Sequence, residues 1–579
     1  MCGVAGYIGK KIINDRVINN TLNIMKNRGP DHQSNFSCAY KETNIYLLHS
    51  RLSIIDLDAR SNQPYTFNGN TLVFNGEIYN YIELREQLKA QGQTFETDSD
   101  TEVVVKAYVE YGMDCVQYFN GMWSFVIWDD RQKKIFLSRD RFAEKPLYYF
   151  EDSDGFYFSS EIKAIQSLLQ TKLEINYDHL KRYLVYGYKF LNKTSEEYFH
   201  GIHKIEFASN ATIDCDLNLT QFKYWKPKSN IKNMTLDDAI EGSKCHLLES
   251  VKLRLRSDVP LAFCLSGGVD STSLASIAKK EFNYDVSTFS IIDPDNRYNE
   301  LDNIQETIDD LDCKNVLIHL SFENMLERLE KLVEYHDSPI STISYLVHSM
   351  LSEKINEHGY KVSVSGTGAD ELFTGYYDHF NLHLYEMRNH PRFDNFLNDW
   401  QDHTGNFIRN PYLQNPKLYF KDQSIRAHNY LNSNIFASFL TNDFSIDINE
   451  NIYTDSLLRN RMLNELFHEA TPIILHEDDL NSMQYSIENR SPFLDVNLFE
   501  FANSIPNEYL IQDGYGKFVL RKAVDGILND KVRLDRRKRG FNASIGSILN
   551  LKDSNTLDYL LSESPVFEII RRDKIEELL

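Results

Sequence analysis

The sequence predicts a two-domain chain, α+β over roughly its first 200 residues and α/β from about residue 236 onward. Three observations carry this prediction. The early part alternates short runs of aromatic and β-branched residues with turns, as in Asn44–Ser50, Thr71–Phe74, Trp123–Asp129, Lys134–Ser138 and Gly155–Ser159. The later part places an apolar run, Val259–Leu265, before a glycine turn, the helical stretch Thr272–Glu281 and a second apolar run, Val286–Ile292. That succession is a parallel α/β unit. Between the two parts, residues 205–235 are polar without strong periodicity and read as the link, giving expected domains at 1–210 and 236–579.

Two helical patterns interrupt the early strands, Tyr81–Gln91 and Ser99–Glu110. Ser99 or Asp100 is placed to cap the second, whose apolar face is Val103, Val104 and Ala107. Stacked antiparallel sheets flanked by helices follow from this mixture. In the later part Leu236–Leu255, Phe322–Tyr335, Val347–His358, Ser456–Phe467 and Val496–Ala502 read as helices around a parallel sheet.

Composition bounds the function. Of 579 residues, 42% are hydrophobic and 13% aromatic, enough to bury large cores, and the formal net charge of −22 disfavours a nucleic-acid partner. No run of about 18 apolar residues and no basic, apolar leader occurs, so neither a membrane span nor a signal peptide is expected. Seven scattered cysteines without a CxxC pair read as reduced thiols in a cytoplasmic enzyme rather than a disulfide or zinc framework.

Cys2 is the most telling residue. The chain begins Met1-Cys2-Gly3, and loss of Met1 leaves a thiol and a free α-amine on one residue, a nucleophile with its own base. Arg51, at a predicted strand end, offers a guanidinium fork for a carboxylate, although taken alone a surface ion pair is the commoner explanation. Asn75 and Gly76 follow the apolar run Leu72–Phe74 at an expected strand-to-turn junction. A side-chain amide and a glycine N–H there suit an oxyanion hole, worth roughly 2.7–4 kcal/mol per donor, while a plain hairpin turn is the dull alternative. Glu77 and Asp100 are placed to hold an α-ammonium, unless Asp100 merely caps its helix. Together these groups describe a zwitterionic amino acid whose side-chain amide meets the thiol.

The later part carries a second constellation. Ser266-Gly267-Gly268-Val269-Asp270-Ser271 follows a buried strand and opens a helix, where glycines and unpaired N–H groups favour phosphate. No lysine follows the glycines, so this is not a Walker A loop. Asp270 repels bare phosphate but suits a magnesium–pyrophosphate complex. Ser365-Gly366-Thr367-Gly368-Ala369-Asp370-Glu371 forms a similar turn after Val362–Val364, at the carboxyl edge where α/β ligands bind. Lys517 and Lys538 are candidate phosphate-facing cations, though a lysine in isolation is more often a solvated surface residue.

Seven ordered segments in the first 150 residues resemble the class II glutamine amidotransferase domain: MCGVAGYIG, Arg28–Asp31, His49–Asp56, Asn75–Tyr81, Ser99–Glu102, Gly121–Asp129 and Ser138–Tyr149. The resemblance implies an N-terminal-nucleophile hydrolase with a four-layered αββα sandwich. In it Cys2 attacks glutamine, Asn75 and Gly76 steady the oxyanion, and Arg51, Glu77 and Asp100 hold the substrate's main-chain charges. The later motifs, with Asp479, Ser482, Glu488–Asp495 and Gly516-Lys517, are similar to the ATP-pyrophosphatase synthetase domain of glutamine-hydrolysing asparagine synthetases. This implies that Ser266, Gly267, Gly268, Asp270 and Ser271 bind pyrophosphate. Leu265, Ile291, Ser365 and Gly366 would line the ATP pocket, Asp370, Lys517 and Lys538 would serve the acyl-adenylate, and Asp270 and Asp370 would hold Mg2+. The implied partners are glutamine, ATP and a carboxylate acceptor, aspartate first and a sugar uronic acid as the alternative, with a homodimer left open. The resemblance extends to about Phe541; the last 38 residues carry no interpretable motif. Two positions depart from the family pattern, Thr367 and Ser338, both expected near the acceptor carboxylate or its adenylate.

Overall fold

The computed structural model describes residues 1–293, 295, 300–321, 323–447, 449–537 and 545–579. Its first half is a four-layered sandwich. One sheet of six strands runs in the order His203–Lys204, Tyr148–Asp152, Gly155–Ser159, Gly3–Gly9, Thr43–Arg51, His32–Tyr40. The other runs Leu219–Lys223, Ser209–Asp214, Lys134–Arg139, Gly121–Asp129, Asn70–Ile78, Tyr65–Phe67. Their facing surfaces bury Val4, Ile45, Leu47, Val73, Val126 and Trp128. The outer face of the first sheet is covered by the helices Asp15–Ile24 and Ile162–Leu169, and that of the second by Tyr81–Ala90 and Asp100–Tyr111. Strands covered on both faces need no polar alternation, which is why Gly121–Asp129 reads as a nearly continuous apolar run. Ser99 caps the helix Asp100–Tyr111 by accepting from the Thr101 N–H, which leaves the Asp100 carboxylate for other work.

Two expectations fail here. The polar link at 205–235 contains an antiparallel hairpin, Ser209–Asp214 with Leu219–Lys223, at the margin of the second sheet. Its outer strand alternates partly buried and exposed residues, so polar side chains on the solvent face hid it. Asn75 and Gly76 are not at a turn; they sit inside the strand Asn70–Ile78, opposite Ser124 and Trp123.

The second half holds a five-stranded sheet in which every neighbouring pair is parallel, ordered Lys314–His319, Ser287–Ile292, Leu261–Cys264, Val362–Val364, Glu488–Arg490. Helices wrap it, beginning with Leu236–Arg254. Thr235 and Asp238 close a reciprocal capping box at its start, and Lys252 and Arg254 favour its C-terminal dipole. The tail is integrated: the Arg571 N–H donates to Phe439 O and the Thr441 N–H to Ile569 O. No helix of the described residues is long and apolar enough to cross a membrane.

The halves share one core. Leu52, Ile54, Ile55 and Phe142 of the sandwich join the apolar cluster of the second half. Phe142 stacks on Phe467 with ring centroids 6.0 Å apart and meets Phe499 edge-on at 5.7 Å.

Candidate active sites

The strand Gly3–Gly9 pairs with Thr43–Arg51 on one side and Gly155–Ser159 on the other, which fixes the residue just before it, Cys2, in the sandwich. The Cys2 backbone nitrogen donates to Asn75 Oδ1 at 2.9 Å, and its sulfur lies 3.9 Å from Leu52 O. Burial pushes the thiol up, against the pull of the terminal ammonium, a backbone hydrogen bond at Leu52 and Arg51, so deprotonation needs a base alongside. Among the described residues, Asn75 Nδ2 is buried without a hydrogen-bond partner, a spare donor on the residue that grips the Cys2 nitrogen. At Gly76 a Cβ would stand 2.1 Å from Met122 O, so only glycine lets these strands approach with this backbone.

The charged groups are placed less symmetrically. Arg51 Nη1 donates to Asp58 O at 3.0 Å and Asn62 Oδ1 at 2.8 Å, and Nη2 donates to Ile55 O and Asp56 O. With both Nη groups committed to this loop, Arg51 offers a ligand its charge and Nε rather than a free fork. Glu77 is buried, pushed well above the carboxylate range by burial and then by Glu488 and Asp100; the Arg490 guanidinium is 3.8 Å away. Burial also raises Asp100, to about 6, against the Ile78 N–H that donates to it at 3.0 Å. Two crowded carboxyls whose neutral forms burial favours are stabilised as anions by any cation placed between them.

Sequence reasoning placed Arg28 in a family-like segment but gave it no role at Cys2, which it reaches from the other side. Its Nε donates to Cys2 O at 3.0 Å, and Nη1 donates to Glu161 at 3.2 Å and Asp479 at 2.7 Å. Arg28 and Asp479 are 451 positions apart, a separation at which no local pattern announces a contact.

In the second half, a cavity of about 200 Å³ opens at the carboxyl edge of the parallel sheet. It is lined by Leu265, Ser266, Asp270, Ser271, Ile291, Ser365 and Gly366, joined by Phe289, His348, Ser482 and Asn489, which the motifs alone did not assign to it. Gly268 caps the helix Val269–Lys280, and the Ser266 N–H donates to Ser271 Oγ at 3.2 Å, tightening the loop. Gly267 takes a φ of +80°, a left-handed turn that favours glycine. The two loops meet closely: a Cβ on Gly366 would stand 2.9 Å from Asp270 Cβ. Lys517 Nζ lies 2.6 Å from both Asp270 Oδ2 and Asp370 Oδ1. Burial works against its charge, but the two aspartates outweigh burial and raise it. Two hard carboxylates already bridged by a cation are a donor set that suits magnesium carrying phosphate oxygens. Lys538 lies outside the described residues.

Thr367 and Ser338 part company. Thr367 lines the 200 Å³ cavity, whereas Ser338 lines a larger one of about 550 Å³ between the two halves. The helix Thr471–Gln484 separates them, giving Ile474, Asp478 and Asn481 to the smaller cavity and Ile473, His476 and Glu477 to the larger.

Residues 1–225 match the glutamine amidotransferase domain family, and residues 244–579 match the asparagine synthase family. The chain belongs to the asparagine synthase family. The family match thus runs through the last 38 residues, which carried no motif of their own. Asparagine synthetase [glutamine-hydrolyzing] 1 of Bacillus subtilis is 30% identical, covering 100% of this chain and 93% of that protein. A putative asparagine synthetase [glutamine-hydrolyzing] 2 of Methanocaldococcus jannaschii is 34% identical over 68% of this chain and 79% of its own. Amidase chry2 of Gibberella zeae is 26% identical, covering 92% of this chain and 87% of its own. The family fold therefore serves proteins named for different activities.

Proposed function

We propose that the chain is a glutamine-dependent amide ligase that activates a carboxylate with ATP, with aspartate to asparagine as the leading reaction. The observation that carries this reading is the pairing, across one shared core, of a buried thiol beside one spare amide donor, Asn75 Nδ2, with a nucleotide-edge cavity whose aspartates are bridged by Lys517. Once Met1 is removed, the Cys2 α-amine takes the thiol proton and Sγ attacks the glutamine side-chain carbonyl. Asn75 Nδ2 and the Gly76 N–H donate to the oxyanion, ammonia leaves, and water releases glutamate from the thioester. Glu77 and Asp100 hold the substrate ammonium, and Arg51 supplies positive charge towards its carboxylate.

In the second half, the acceptor carboxylate attacks the α-phosphorus of ATP and pyrophosphate departs along Ser266–Ser271. Ammonia then attacks the acyl-adenylate and AMP leaves. Asp270 and Asp370 would hold Mg2+, which supplies charge neutralisation for the departing pyrophosphate, while Lys517 turns to the phosphates. The relatives' names support aspartate; Thr367 on the nucleotide cavity is the residue that favours testing other acids, a sugar uronic acid among them. Pyrophosphate release with ammonium and a panel of carboxylates tests the reading. Aspartate is expected to support release with matching amide; release with another acid and none with aspartate would replace it.

A further inference from the structure

We infer that Glu488 is a nitrogen-holding site between the two active centres, where ammonia freed at Cys2 first meets the second half of the molecule. This rests on the function proposed above. The Met1 ammonium lies 2.7 Å from Glu488 Oε2, with both groups fully buried. Met1 adjoins Cys2 in sequence, about 3.8 Å away Cα to Cα, so this contact marks a nitrogen-sized position one residue from the nucleophile. Arg490 Nε holds the other oxygen, Oε1, at 2.7 Å, leaving Oε2 directed at the Met1 nitrogen. Burial disfavours the Glu488 carboxylate, yet the terminal ammonium and Arg490 hold it ionised, down to about 2.

Processing at Met1 removes that ammonium and also the Met1 side chain, which is 1% exposed and packed in the shared core near Leu52 and Phe142. Even with Arg490 on Oε1 and the buried Lys145 ammonium nearby, which donates to Met1 Sδ, loss of the direct partner of Oε2 is costly, and a small N–H donor restores the contact. Ammonia is that donor: one N–H donates to Oε2 as the Met1 ammonium does here, with no bond made or broken at Glu488.

The position also faces the right way. Glu488 and Arg490 lie on one face of the strand Glu488–Arg490 and Asn489 on the other, as strand alternation requires. Asn489 lines the nucleotide cavity, and its Nδ2 donates to Ser365 Oγ at 3.1 Å. The wall between the nitrogen site and the ATP site is one strand thick.

The test compares wild type, Glu488→Gln and Glu488→Asp in processed protein. It measures glutamine hydrolysis, ammonium-dependent amide formation with whichever carboxylate the wild type accepts, and amide formed per glutamine consumed. A wild type with neither half-reaction overturns the proposed function and this inference with it. Given an active wild type, the amide-to-glutamine ratio should fall at least threefold in Glu488→Gln and less in Glu488→Asp, with free ammonia rising to match. In each variant that fall should exceed the loss in either half-reaction. A wild-type ratio in either folded variant, or half-reactions that drop together at unchanged ratio as a structural role predicts, overturns it. Glu488→Asp keeps a carboxylate beside Arg490 and decides the matter if Glu488→Gln does not fold.

Discussion

A buried thiol is a poor nucleophile until something beside it takes its proton, and Cys2 is held up by burial while its own nitrogen contacts Asn75. Cys2→Ala is therefore expected to abolish glutamine-dependent amide formation and leave the ammonium-dependent reaction within about twofold, measured by amide yield with each nitrogen source. Asp100 gives a pH signature. Its carboxyl, raised to about 6, favours the protonated form in the folded chain, so it adds stability at low pH that is lost as pH rises from the ordinary carboxylate value through 6. Substrate ammonium needs the ionised form, so KM for glutamine should climb below pH 6, approaching about tenfold per pH unit, and Asp100→Asn should flatten that profile. Asp270→Asn leaves Lys517 with one close carboxylate; pyrophosphate release should fall at least about 100-fold while glutaminase activity persists. That Cys2 and Asn75 lie together and that Asp270 lines the nucleotide-edge cavity was legible in the sequence, because each sits in a short local motif. The contacts of Glu488 and Arg28 were not legible, although both residues sit in quoted segments, because their partners lie hundreds of positions away.

At the scale of elements, the strand Asn70–Ile78 shows what a local pattern conceals. Asn-Gly is a turn signal, yet here it lies mid-strand, because Met122 O leaves no room for a Cβ at Gly76. Gly76→Ala should force the strands apart, cost about 2 kcal/mol or more in denaturant unfolding, and depress glutaminase activity far more than ammonium-dependent synthesis. The strand–loop–helix at Val259–Glu281 was legible in type and place, since a buried strand followed by a glycine turn has few other solutions. The hairpin within 205–235 was not, because a marginal strand with a wet face satisfies its backbone without an apolar stripe.

At the scale of the whole molecule, the two halves are joined by a buried ion pair as well as by a core. Arg28 between Asp479 and Glu161 is fully desolvated, and removing one member of such a set leaves uncompensated charge. Arg28→Met is expected to destabilise the chain by about 3–5 kcal/mol, read as a lowered denaturation midpoint, and to slow both half-reactions together. No sequence pattern gives such an interface, since each partner looks like an ordinary charged residue until the fold brings them together.

The helix Thr471–Gln484 turns three consecutive acids to three neighbours: Glu477 receives the Ser341 N–H, Asp478 contacts His348 beside the nucleotide cavity, and Asp479 grips Arg28. A partition shared so tightly cannot be retuned for one tenant alone. Altering acceptor preference without disturbing glutamine turnover should therefore be easiest on loops such as the one bearing Thr367, and hardest along that helix.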